Sequence, residues 1–192
     1  INSDCQEPFM FGREDLVQAI SEIASWSKAN FGEQEGDGLH LGRVAPLLGV
    51  FEEIYEYTFA QTVEEALDAL GDIAIFLVDY LSRCGKAPED IASLLLDVNA
   101  YNASWAECLY LARHELKRVQ GIRGYKDKEQ YDTMRDDSVR DLINVVNIQL
   151  KRFNKSGIAE ILLETWESVK KRNWKKNPEN GTGDNLGAKL WY

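Results

Sequence analysis

Apolar residues in this chain recur with the period of a helix, and no segment alternates convincingly with period two. That restricts the fold to packed helices, since side chains three and four apart share a helix face, whereas strands need alternation. Leu16, Val17, Ile20, Ile23 and Ala24 make one amphipathic stripe over 14–28, closed by Asn30 and Gly32. A Gly-rich loop is expected over 32–42, and a second helix over 47–59 with Pro46 near its first turn. Thr62-x-x-Glu65 has the form of a capping box that starts a third helix, and Gly85 ends it. Pro88 opens a fourth, which runs with or without a break to Val119, before a turn over 120–124. Leu142, Val145, Val146 and Leu150 belong to a fifth reaching Phe153, and a sixth spans 158–174. The expectation is all-α: a compact bundle of about five or six helices in one domain over 1–179, with a flexible tail over 180–192.

With 192 residues, 44% of them hydrophobic, the chain can bury one sizeable core. A formal net charge of −10 argues against stable nucleic-acid binding, because phosphate backbones are held by basic patches. Cys5, Cys84 and Cys108 form no CxxC pair, which suits neither a disulfide framework nor zinc and points to a reducing cytoplasm. The longest apolar run, Ile73 to Val78, stops at Asp79, so no membrane span is expected, and the first residues lack a signal-peptide pattern.

Acids concentrate where apolar residues do. Glu52, Glu53 and Glu56 fall on the second helix, where Glu56 shares a face with both of the others; Asp68 and Asp72 are i, i+4 on the third. A short connection near 60–62 favours an antiparallel hairpin that turns the two faces together. Asp72 precedes Ile-Ala-Ile-Phe-Leu-Val in a helix apolar on nearly all sides, and no Lys or Arg lies between Arg43 and Arg83. An ionised carboxylate buried there costs several kcal/mol or more unless paired or metal-bound. Oxygen-only ligation selects Mg²⁺, with Mn²⁺ as substitute, over zinc. A di-iron bundle needs Glu-x-x-His pairs, and neither His40 nor His114 has Glu three positions before it. Glu65 is explained by its helix cap.

The segment from Leu48 to Glu56 (LGVFEEIYE) resembles the EExxE motif of the MazG-like, all-α nucleoside triphosphate pyrophosphohydrolases, and Asp68-Ala-Leu-Gly-Asp72 is similar to their second acidic motif. WSKANFG at 26–32, HELKRVQGIR at 114–123 and WESVKKRNW at 166–174 look like further blocks of phage and integron-type members. One departure stands out: the family's second motif would place Glu at position 69, where this chain has Ala69, with Asp68 one residue earlier.

The resemblance implies hydrolysis of (deoxy)nucleoside triphosphates to monophosphate and pyrophosphate, with Glu53, Glu56, Asp68 and Asp72 as metal ligands and Glu52 or Glu53 as general base. Lys170, Lys171 and Arg172, then Lys117 and Arg123, are the candidate phosphate-binding cations. Trp26, Asn30 and Phe31 are candidates for the base slot, while His114 reads as a packing or hydrogen-bonding residue rather than a catalytic base. A homodimer or homotetramer is expected. Two other readings stay open: a base-specific dUTP or dCTP pyrophosphatase, and a non-enzymatic acidic helical interaction module.

Overall fold

The computed structural model describes residues 10–32, 40–97, 102–119 and 128–177. Among them are seven helices and no strand: α1 Arg13–Phe31, α2 His40–Phe59, α3 Val63–Arg83, α4 Pro88–Leu96, α5 Glu107–Val119, α6 Lys128–Lys151 and α7 Ile158–Val169. The all-α expectation holds. The additional helix arises because the fourth predicted segment breaks into α4 and α5. The expected turn at 120–124 and the tail at 180–192 lie outside the described residues.

Helix ends follow their local chemistry. Thr62 Oγ1 accepts the Glu65 amide at 3.1 Å while Glu65 Oε2 accepts the Gln61 amide at 2.7 Å and the Thr62 amide at 3.3 Å, completing the predicted box. Gly85, at φ 79°, lets the chain leave α3, with the Lys86 amide returning to the Leu81 carbonyl at 3.2 Å. Two boundaries differ from expectation. The sixth predicted helix stops at Val169, so Lys170, Lys171 and Arg172 lie just beyond α7. α2 begins at His40, which puts Pro46 inside it. Proline has no N–H to give the carbonyl four residues back. That carbonyl, Gly42 O, is taken instead by Arg83 Nη1 at 2.8 Å. Arg83 also donates through Nε to Asp79 Oδ1 at 2.9 Å and through Nη2 to Ser27 Oγ at 3.0 Å, tying α1, α2 and α3 together.

α3 lies at the centre, packed against α1, α2, α4, α6 and α7. Its Leu70, Ile73, Leu77, Tyr80 and Leu81 are wholly buried, in a core to which all seven helices contribute. Burying each large apolar side chain contributes about 1.5–3 kcal/mol. At Gly71 an added Cβ would fall 1.9 Å from Thr165 Oγ1, so α3 and α7 approach as closely as glycine permits. No described helix is long and apolar enough to cross a membrane.

Candidate functional site: the acidic helical hairpin

α2 and α3 form the most extensive helix pair among those described, and the short link between them makes it an antiparallel hairpin. Their register is fixed at Gly49, where an added Cβ would stand 2.6 Å from the Phe76 ring. One turn nearer the link from Gly49 comes Glu53, and one turn nearer from Phe76 comes Asp72. Each acid thus lies one helical turn from the Gly49–Phe76 contact, on the side toward the link. Glu56 follows three residues after Glu53, and Asp68 stands four before Asp72, both nearer the link.

Burial separates the five acids. Glu53 falls on the inward stripe of Pro46, Gly49 and Val50 and is only 8% exposed. Glu56 and Asp72 are half-buried, while Glu52 and Asp68 are exposed. Glu52 is turned about 100° from Glu53, onto the outer face with Leu48, Tyr55 and Phe59. Among the described residues no group of three or more His, Cys, Asp or Glu side chains is gathered so as to hold a metal ion. Carboxylate oxygens are donors that hard cations take, and here they are not drawn together into a site.

The other candidates assemble elsewhere, from opposite ends of the chain. The Trp26 indole N–H donates to the Arg172 carbonyl at 3.0 Å; Asn30 donates to Trp26 O at 2.9 Å and accepts the Trp174 amide at 2.8 Å. Phe31 stands edge-on to Trp26 at 5.8 Å and tilted against Trp174 at 6.2 Å, and Trp166 meets Trp26 at 5.9 Å. The polar atoms of Trp26 and Asn30 thus serve to dock the segment after α7 onto α1, and what remains for a ligand is ring surface. Lys170 pairs with Glu167 at 2.6 Å, Lys171 is exposed and Arg172 half-buried.

Lys170, Trp26 and Trp166 line an open groove of about 380 Å³ with Glu22. The Trp166 indole N–H, helped by Gln18 and Lys170, holds the Glu22 carboxyl below its ordinary range. The link from this corner to the acids runs through α3: Gly71 rests on Thr165, beside Trp166, and Asp72 is the next residue. Lys117 is half-buried on α5; His114 is also half-buried there, its ring tilted against Tyr110 with centroids 4.1 Å apart. Arg123 lies outside the described residues.

One buried polar centre has no counterpart in the sequence reading. Glu115, wholly buried on α5, accepts from Tyr80 Oη at 2.8 Å, from Tyr131 Oη and from Arg118 Nε at 3.0 Å. Burial, with the Glu115 charge beside them, drives both tyrosines up and raises the Cys84 thiol to about 11. The available signal was the spacing of Cys108, Leu111 and Glu115, which places an acid on an apolar stripe.

Comparison with family models, curated proteins and solved structures finds no match to this chain.

Proposed function

We propose that the chain is a Mg²⁺-dependent nucleoside triphosphate pyrophosphohydrolase of the MazG-like type, working at the α2–α3 hairpin. What supports this reading is the close contact of Gly49 with Phe76, one helical turn from the buried Glu53 on α2 and one turn from Asp72 on α3. Glu53, Glu56 and Asp72 would hold the metal, with Asp68 at the outer turn. The reading requires these carboxylates to draw together on the ion, since no such trio is gathered among the described residues. When bound, Mg²⁺ would neutralise phosphate charge and make water more acidic. Water attacks the α-phosphorus, the bond to the bridging oxygen breaks and pyrophosphate leaves. Glu52 or Glu53 takes the proton of that water. Lys170, Lys171 and Arg172 would hold the phosphates, and the ring surfaces of Trp26 and Phe31 would hold the base.

The test is pyrophosphate release from a panel of ribo- and deoxynucleoside triphosphates with and without Mg²⁺. Turnover of dUTP or dCTP alone would narrow the activity to a base-specific pyrophosphatase. No turnover of any of them would overturn the proposal.

A second reading, an interaction module without catalysis, draws on the outer face of α2. Leu48, Phe51, Tyr55 and Phe59 are 53%, 47%, 65% and 59% exposed along one helical stripe, and contiguous apolar surface of this kind marks an interface. The same stripe suits a homodimer or homotetramer of the enzyme, which sedimentation at micromolar concentration would detect. The module reading requires that Mg²⁺ leave the melting temperature unchanged.

A further inference from the structure

A second open groove, about 780 Å³, runs between α5 and α6 and takes no lining residue from the acidic hairpin. Its walls carry Glu107 from α5 and Glu129, Asp137 and Asp141 from α6. Asp137 is tied to Arg140 at 3.1 Å and Asp141 accepts the Asn102 amide at 3.2 Å, whereas Glu107 and Glu129 have no cationic partner among the described residues. Its apolar surface is Tyr110, 43% exposed, and the half-buried Met134, a flexible side chain suited to adaptable contacts.

Ser138 lines the same groove at 5% exposure, and no described group hydrogen-bonds its hydroxyl. No fully buried side-chain oxygen or nitrogen among the described residues lacks a partner, so this oxygen opens into the groove. Acid walls, an apolar surface and an unclaimed hydroxyl are the complement of a segment with one cationic and one apolar face. From Glu129 to Asp141 the wall spans thirteen residues of α6, or about 18 Å, a little over three helical turns.

We propose that the α5–α6 groove docks a basic amphipathic helix of a partner protein, its apolar face on Tyr110 and Met134 and its Lys or Arg residues on Glu107, Glu129, Asp137 and Asp141. This stands independently of the hydrolase reading. Helix-in-groove recognition takes its affinity from the apolar anchors, while charge complementarity sets orientation and speeds encounter.

The experiment uses the full chain and a fluorescein-labelled Lys/Leu peptide of twelve residues with an amphipathic helical pattern, read by polarisation at about 0.1 M salt, where exposed charges more than ~10 Å apart are largely screened. Its scrambled isomer and spermine are the comparison ligands. Saturable binding is expected, weakened at least tenfold by E107K with E129K. The control pair E14K with E64K, which makes the same change in net charge elsewhere, should leave it within twofold. Met134→Ser should weaken the amphipathic peptide and leave spermine unaffected. Equal loss in both charge-reversed pairs, or equal binding of the scrambled peptide, would show diffuse attraction to an acidic protein and overturn the proposal. So would displacement of the peptide by spermine at equal concentration, which would make the groove a polycation site. Circular dichroism of each variant keeps loss of folding apart from loss of binding.

Discussion

Arg83 donates to the carbonyl of Gly42 at 2.8 Å, and that carbonyl is open to it because Pro46, four residues on, has no N–H to offer. A helix flaw on α2 is thereby turned into a tie to α3. Arg83→Met should cost about 3 kcal/mol in urea denaturation, because it also leaves the buried Asp79 carboxylate without its cation. In a Pro46→Ala background the restored amide satisfies Gly42, so the same substitution should cost about 1 kcal/mol less. A double-mutant cycle with no coupling would refute the relationship.

Glu53→Gln combined with Asp72→Asn should abolish pyrophosphate release while leaving the melting temperature unchanged or higher, since the amides keep the shape of the carboxylates and remove two charges from an acidic hairpin. A collapse of the melting transition would instead make these acids structural.

Gly71→Ala places a methyl group where Thr165 Oγ1 stands, 1.9 Å from the new carbon. Overpacking of this kind costs about 1–3 kcal/mol. Thr165→Ala should recover part of it and not all, because Thr165 Cβ would still lie at 3.0 Å. Full independence of the two substitutions in thermal melts would contradict the close α3–α7 approach.

Alkali should unfold this protein early. Cys84 and Cys108, whose ordinary value is 9.0, are raised to about 11 and about 12 by burial, and Tyr80 and Tyr131 are raised from 10.0. Above about pH 9 the unfolded chain loses these protons first, so the folded state binds more of them. Stability is then full below about pH 9 and falls as pH rises, by up to ~1.4 kcal/mol per pH unit for each group. Urea midpoints between pH 8 and 11 measure the slope, and Tyr131→Phe should make it shallower.

Much of the fold is legible in the sequence because helices announce themselves locally. The Thr62–Glu65 box, Gly85 and Pro88 each mark a boundary through chemistry confined to one turn. Pro46 misleads for the same reason. Read locally it opens a helix, and only the distant Arg83 explains why the helix passes through it. The candidate acids were legible as helix faces, since spacing alone sets Asp68 and Asp72 on one side. Which of Glu52 and Glu53 points inward was not, because that depends on where Phe76 meets α2. Glu115 was the hardest to foresee: two of its donors, Tyr80 and Tyr131, sit on other helices, and each alone reads as an ordinary aromatic.

With no side chain at Gly49, the Phe76 ring packs directly on the α2 backbone, one turn along each helix from Glu53 and Asp72. Any larger residue there must displace the Phe76 ring, a disturbance one turn from both acids that alters neither carboxylate. A position with no chemistry of its own thus governs how the two acid-bearing helices meet.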